Sequence, residues 1–533
     1  MISRIAQGFA LAIVGVSLAS LAGTAASAEA PQDQPNIVII MADDMGYSDI
    51  GSFGGEIQTP NLDALAEGGL RYSQFYNTGR CCPTRASLLT GLYPHQAGVG
   101  HMVSPGTQPG YRGRLVDRAV TIAEVLGEQG YHTAMAGKWH VTHYAYNNPE
   151  PTLHRASWPR QRGFDRFFGT LSGAGSFFEP VSLMRDNTFI EPDEDFYYTD
   201  AISDQASRFI TEAPADEPVF LYVAHTAPHW PLHALPEDIA RYEGVYDEGW
   251  DQMREDRHER LLEMGLLSED WPLSARGGGI PAWSDAEHKA WQARRMAVYA
   301  AQVDRMDQGI GRVVQALKET GRFENTLILF LADNGGSHEV IQGTNTRHGN
   351  FEQGGTQPNI MPGDADTYAS YGRPWANASN TPFRLYKSWN HEGGIATPLI
   401  AHWPNGIRDR GGIRHQPGHV IDLMATAVDI SRSRYPEIYN DHEILPLEGT
   451  SLVPSFDSDQ PLEREAIFWE HQGSRAVRVG DWKLVRERRK DWELYNLKVD
   501  RTETHNLADE HPDRVTQMAE RWNAWADRAF VRR

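Results

Sequence analysis

The two cysteines of this 533-residue chain are neighbours, Cys81 and Cys82. Adjacent thiols cannot tie distant segments together, and the ring they could close with each other is strained and rare. They open the run Cys81-Cys82-Pro83-Thr84-Arg85-Ala86-Ser87-Leu88-Leu89-Thr90-Gly91. Pro83 starts an apolar turn, which predicts Cys81 at a helix N-terminus. There, free N–H groups and the helix dipole stabilise an anion. Arg85, one turn along, returns to the same spot. A thiol acting as a small buried hydrophobe is the plainer alternative, but it accounts for neither the Pro/Arg spacing nor the lack of other cysteines.

A second set of residues offers oxygen ligands. The apolar run 36–42 ends in Asp43-Asp44, and the run 327–331 leads into Asp333-Asn334-Gly335-Gly336. Continuous apolar runs of this length predict strands of a parallel sheet covered on both faces, and such sheets bind ligands beyond their strands' carboxyl ends. Three carboxylates and an amide, without His or Cys, suit a hard cation: Ca²⁺ first, Mg²⁺ second. Either pair alone would be explained as well by a turn, which Asp and Asn often begin.

The elements that must position these groups alternate. Further strands are predicted at 131–136, 218–224, 326–332 and 397–402. Helices are predicted at 59–65, with Thr59 as N-cap and Pro60 at the first helical position, and at 121–128. Met296, Tyr299, Val303, Met306, Ile310, Val313 and Leu317 recur at steps of three and four, which predicts a long helix with this stripe in the core. The pattern is that of an α/β fold. From 342 to 380 the periodicity gives way to Gly, Pro, Asn and Thr, the texture of a long functional loop. The formal glycosylation site Asn377-Ala378-Ser379 falls there and is read as chance. Beyond Pro446, short strands at 466–469, 474–479, 482–486 and 492–496 precede a helix at 512–530, a small antiparallel α+β domain. Arg4, the apolar stretch 9–21 and Ala26-Ser27-Ala28 read as a leader cleaved after Ala28. The expected organisation is therefore a signal peptide over 1–28, a catalytic domain over 35–445 and a C-terminal domain over 446–533, with a periplasmic or secreted product and no membrane anchor.

With 40% hydrophobic and 23% charged residues the chain is globular rather than disordered or coiled coil. Its net charge of −21 argues against nucleic acid and anionic membranes as partners. An anionic substrate needs a local cationic site that overrides this sign. Nothing in the sequence speaks to oligomeric state.

The run from Cys81 to Gly91 resembles the signature of the type I, formylglycine-dependent sulfatases of the alkaline phosphatase superfamily. The resemblance is nearest to the bacterial arylsulfatases. It extends through Asp43-Asp44, Gly137-Lys138-Trp139-His140, Ala227-Pro228-His229-Trp230-Pro231, Asp333-Asn334-Gly335 and the segment 381–387. It continues in Gly480-Asp481-Trp482-Lys483-Leu484-Val485 and Leu494-Tyr495-Asn496-Leu497. It implies an alkaline-phosphatase-like sandwich with a large, mostly parallel sheet between helices, plus a small C-terminal antiparallel domain. Only Cys81 has Pro two and Arg four residues on, so it is the implied site of oxidation to formylglycine by a maturation system, while Cys82 fills the variable place. Asp43, Asp44, Asp333 and Asn334, with residue 81, are then the implied metal ligands. Lys138, Lys387 and Arg85 are implied to offset sulfate charge. His229 with Lys387 is implied to protonate the leaving oxygen, and His140 to take the proton that releases sulfate. Lys138, His229 and Lys387 are the implied substrate-binding groups.

The implied reaction is hydrolysis of a sulfate monoester, on an aryl group or a carbohydrate. The alternative within the superfamily is a phosphonate monoester or phosphodiester hydrolase. His143, His225, His233 and His391 are read as bystanders, with His143 and His391 candidates for the pocket wall. Specificity is expected from 147–200 and 342–380, where Trp158, Phe177, Phe178 and Trp375 could stack on a substrate or belong to the core.

Overall fold

Every residue of Asn36–Ala42 is buried, so this strand can only lie inside a sheet covered on both faces. The computed structural model describes residues 34–143, 151–344 and 348–532. The leader expected over 1–28 lies outside them. The central sheet is built from β1 (Asn36–Ala42), β2 (Leu70–Tyr76), β3 (His132–Lys138), β4 (Arg166–Thr170), β5 (Val219–Ala224), β6 (Thr326–Ala332) and β7 (Ala396–His402). Their spatial order is β2-β7-β6-β1-β5-β3-β4, with short strands extending both edges. Of these seven, only β7 runs against its neighbours.

Helices α1 (Pro60–Glu67), α2 (Cys81–Thr90), α3 (Ile122–Gly127), α4 (Tyr198–Glu212) and α5 (Lys289–Glu319) cover the sheet. The pleat of β1 divides the interior in two. Val38 and Ile40 pack with α1, α4 and α5, whereas Ile37, Ile39 and Met41 pack with α2 and α3. Each such side chain, fully buried, stabilises the fold by roughly 1.5–3 kcal/mol. The stripe from Met296 to Leu317 lies on α5 in the first of these cores, as its periodicity requires.

Two local expectations change. Thr59 stands at the N-cap position but its side chain does not cap: its hydroxyl accepts from Gly51 N at 2.9 Å and donates to Asp63 at 3.2 Å. Asp307 of α5 serves α1 instead, its carboxylate accepting from Asn61 N at 3.1 Å and Leu62 N at 2.8 Å. A carboxylate is the stronger acceptor at a helix N-terminus. The stretch expected to be loop from 342 to 380 contains a helix, α6 (Gly372–Ser379). It carries Trp375, wholly buried against Trp250 and Trp283, so this ring belongs to the core. Trp158 and Phe177 are buried likewise. Asn377 is buried and accepts from Gly277 N at 3.2 Å, an arrangement that leaves no room for a glycan.

The C-terminal strands β8 (Ile467–His471), β9 (Ser474–Val479), β10 (Trp482–Arg486) and β11 (Glu493–Asn496) form an antiparallel meander covered by α7 (Pro512–Arg528). A fully buried ionic network joins it to the central sheet. Glu392 accepts from Lys483 Nζ at 2.8 Å, Arg501 Nε at 2.8 Å and the Tyr76 hydroxyl at 2.9 Å. Among the described residues no helix is long and apolar enough to cross a membrane.

Candidate active site

The register of the sheet assembles the site. Ala42 of β1 lies opposite Ala332 of β6, so the residues that follow them, Asp43-Asp44 and Asp333-Asn334, emerge side by side. The ladders run one step past the strands: Asp43 N donates to Ala227 O at 3.0 Å, and Asp333 N to Ala42 O at 3.1 Å. Lys138 is the last residue of β3, two strands away, and follows Gly137. Gly137 has φ +116°, and a Cβ there would lie 1.9 Å from Ala224 O, so only glycine lets β3 deliver Lys138 to this place. Asp44 and His140 also adopt left-handed backbone, with φ of 63° and 52°, an uncommon conformation held by the surrounding contacts.

Four carboxylate and amide groups meet three cations without solvent. Asp43 is paired with Lys138 Nζ, and Arg85 Nη2 stands 3.7 Å away. Asp333 accepts from Arg85 Nε at 3.1 Å and Nη2 at 2.8 Å, and its other oxygen accepts from Asp44 N at 3.2 Å. Asp44 accepts from Asn334 Nδ2 at 2.7 Å and Lys387 Nζ at 2.7 Å. Burial, then the Asp333 charge, pushes the Asp43 carboxyl well above the usual range. Burial also raises Asp333, against the pull of Arg85. Burial would raise Asp44 too, but His229 and Lys387 bring it below its ordinary value.

Cys81 and Arg85 come from the first two turns of α2, as expected. The Cys81 thiol is held well below the ordinary thiol range by a hydrogen bond from Cys82 and, against burial, by Lys138 and His140. Burial and the Cys81 charge push Cys82 up. His140 Nε2 lies 3.2 Å from Cys82 Sγ, and ligand atoms of Cys81, Cys82 and His140 are all within 4.8 Å of one another. His140 thus faces both thiols, and burial lowers it to about 4.

His229 sits in the turn after β5, its Nδ1 2.6 Å from Trp230 O and its Nε2 3.3 Å from both Asp44 Oδ2 and Lys387 Nζ. A carbonyl can only accept, so the Nδ1 proton points to Trp230 and Nε2 is left to receive a proton from Lys387. Burial brings His229 to about 3, despite Asp44, while Asp44 and Glu339 raise Lys387 against its own burial. In this pair the lysine holds the proton.

The arrangement fits a divalent cation. Asp43 Oδ1 and Asn334 Oδ1 are buried with no hydrogen-bond partner, an expensive condition unless a cation takes them. Asp43, Asp44 and His229 can also bring three ligand atoms within 4.8 Å of one another.

Glu339 escaped the sequence reading. It lies 3.3 Å from Lys387 Nζ and accepts from Arg80 Nη1 at 3.0 Å and Trp230 Nε1 at 3.0 Å. Its position four residues past Gly335 carries no motif, and only the folded chain brings it there. Four other histidines stand apart. His143 bonds Val103 O at 2.9 Å, His391 bonds Glu493 at 3.2 Å, His233 bonds Thr367 O at 2.7 Å, and His225 is buried with neither ring nitrogen bonded. His143 and His391 thus bond to residues outside this cluster.

Comparison with known proteins agrees with the geometry. The family described as Sulfatase matches residues 35–432. An arylsulfatase of Klebsiella aerogenes is 37% identical over 81% of this chain and 94% of its own. An uncharacterised sulfatase of Schizosaccharomyces pombe is 32% identical over 93% of this chain and 94% of its own. Among solved structures, one described as Ps i-CgsB in complex with k-i-k-neocarrahexaose superposes with a TM-score of 0.66 at 25% identity, covering 92% of this chain and 93% of that one. The chain belongs to the sulfatase family, with the alkaline-phosphatase-like α/β fold. It is a sulfuric ester hydrolase, and the family implies a metal ion and formylglycine.

Proposed function

We propose that the protein hydrolyses aryl or carbohydrate sulfate monoesters to the alcohol or phenol and inorganic sulfate, with residue 81, matured from cysteine to formylglycine, as the nucleophile. The observation that carries this reading is the placement of Cys81 in the first turn of α2, one turn before Arg85, whose guanidinium grips Asp333. Asp43, Asp44, Asp333 and Asn334, with residue 81, would hold the cation, Ca²⁺ before Mg²⁺ because every protein donor is oxygen. The cation and the hydrated aldehyde together supply a more acidic attacking hydroxyl and a polarised sulfate.

The chain's own residues do the rest. Lys138, Arg85 and Lys387 bring three positive charges to a dry site, where they offset the charge of the sulfate and of the transition state. Lys387 Nζ holds the proton for the leaving oxygen, and His229 Nε2, 3.3 Å away, takes part in its transfer. His140 Nε2, beside residues 81 and 82, takes the proton that leaves with sulfate release. We read the leader as cleaved after Ala28, with maturation by a formylglycine-generating system and a periplasmic or secreted product. We read the division as a catalytic domain over 35–445 and a C-terminal domain over 446–533.

The test is sulfate release from 4-nitrophenyl sulfate, with mass spectrometry of the peptide spanning position 81. Aldehyde at 81 in active enzyme is expected, whereas an active preparation with Cys81 fully alkylated as a thiol overturns the mechanism. A faster rate on an aryl phosphodiester than on the aryl sulfate would move the assignment to the phosphonate and phosphodiester hydrolases.

A further inference from the structure

A cavity of about 800 Å³ opens between the loop after residue 100 and the C-terminal meander. Five arginines line it, Arg475, Arg486, Arg488, Arg489 and Arg532, against a single carboxylate, Glu470. That carboxylate is engaged elsewhere: it accepts from His95 Nε2 at 2.7 Å and Gly473 N at 2.7 Å. In a chain of net charge −21, such a concentration of one positive type is an anomaly.

The arginines are arranged at a cost. Arg475 and Arg486 are register partners on β9 and β10, and like charges directly opposite in an antiparallel pair destabilise it. The Nε of Arg486 is buried without a hydrogen-bond acceptor. Aromatic faces hold the guanidinium planes: Trp522 lies 4.4 Å from Arg475, Trp492 5.0 Å from Arg486 and Tyr111 4.4 Å from Arg532. Arg532 gives its Nε–H to Gln108 Oε1, and a guanidinium stacked on a ring can still turn its remaining N–H groups toward a planar or tetrahedral oxyanion.

The cavity also approaches the start of α2, next to residue 81. Met102 lines it and lies 3.7 Å by sulfur from Cys82. His101, another wall residue, stacks at 5.3 Å on His471, a wholly buried ring. The volume is that of a small-molecule site.

We propose that this cavity binds a second anionic substituent, sulfate or carboxylate, of a carbohydrate substrate whose scissile sulfate lies at residue 81. The proposal rests on the sulfatase reading above and adds that the substrate class is a multiply charged saccharide. It moves part of specificity to β9, β10 and the turn from β10 to β11, away from 147–200 and 342–380.

The experiment compares three probes: a disaccharide with one sulfate, the same disaccharide with a second sulfate, and the monosulfated disaccharide with a uronate carboxylate. Affinity is measured calorimetrically on the Cys81→Ala protein, and kcat/KM on matured enzyme. An Arg488→Ser/Arg489→Ser variant, both sites being exposed, avoids disturbing the core, and Arg486→Gln tests the half-buried member. The preference for a doubly charged probe over the singly charged one is expected to fall at least tenfold in binding and in kcat/KM. Whichever probe shows the larger fall tells sulfate from carboxylate. An equal fall on all three probes, or none, overturns the proposal while leaving the sulfatase reading intact. If matured wild-type enzyme cleaves 4-nitrophenyl sulfate but no probe, the carbohydrate arm of that reading fails instead, and the calorimetric preference still decides whether the cavity selects a second charge.

Discussion

Lys387 Nζ stands 3.3 Å from His229 Nε2, and the same ammonium lies 2.7 Å from Asp44 Oδ2. One lysine therefore touches both the ring proposed to face the leaving oxygen and a carboxylate of the proposed cation site. A proton donor matters most when the leaving alkoxide is basic. The His229→Ala enzyme should lose about 10²–10³-fold in kcat on alkyl or sugar sulfates and less than about tenfold on 4-nitrophenyl sulfate. Equal losses on the two substrate types would make His229 a binding group only.

The cation site should respond to a single carboxylate. Asp333→Ala removes the acceptor that holds Arg85 at 2.8 Å and one of the three negative charges. Metal content measured by mass spectrometry should fall below stoichiometric, and sulfate release should fall by at least about 10³-fold. Stoichiometric zinc in the native protein, or full activity after chelation, would contradict the oxygen-ligand reading.

The two thiols should behave differently although both are buried. A serine at 81 has one hydroxyl to attack sulfate and no second one to expel it, so Cys81→Ser should stop after at most one turnover. Cys81→Ala should be inactive, yet still folded. Cys82→Ala should stay active within about tenfold and should shift the acid limb of the pH profile, because His140 Nε2 lies 3.2 Å from that sulfur. Inactivity of Cys82→Ala in soluble, folded protein would show that the second cysteine is more than a neighbour.

Stability should depend on the network at Glu392. Burial alone would raise its pKa, but Lys483 and Arg501 overcome this and bring it from 4.5 to about 2. A depressed folded-state pKa means that the contribution, of order 3 kcal/mol, is fully present above about pH 4.5 and is lost as pH falls toward 2. Lys483→Met leaves Glu392 buried with a charge partner missing. It should cost roughly 3–5 kcal/mol in urea unfolding at pH 7. The loss should shrink at pH 3, where protonation begins to cost less than isolation of the charge; a loss independent of pH would point to packing instead.

The parts of this molecule legible in sequence are those where local pattern and final position coincide. The apolar strands 36–42 and 326–332 end in the buried cluster of Asp43, Asp44, Asp333 and Asn334 because a parallel sheet places its strand ends together, and Pro83 with Arg85 marks the start of α2. What escaped the reading depends on separation. Asp307 serves α1 from 246 residues away, and Glu339 reaches Arg80 across 259. Helix α6 was hidden because Gly372, Pro374 and Asn377 obscure its periodicity, although burial of Trp375 against two other tryptophans stabilises it. The arginine cavity could not be seen in a chain whose net charge has the opposite sign.

The burial of Cys81, 2% exposed, sets a clock on biosynthesis. Arg85 is fixed by Asp333, 248 residues further along the chain, and the site cannot close until that carboxylate has been made. At about 5–20 residues per second, translation of that interval takes on the order of 10–50 s. Throughout it, β1 has no β6 to pair with, and the helix bearing Cys81 has only half of its sheet. On the proposed formylglycine reading, an oxidising enzyme would have to finish its work on the growing chain in that time or meet a thiol already sealed under the sheet. The yield of active protein would then be a race between a modifying enzyme and the ribosome, and slowing elongation before residue 333 should raise the aldehyde fraction.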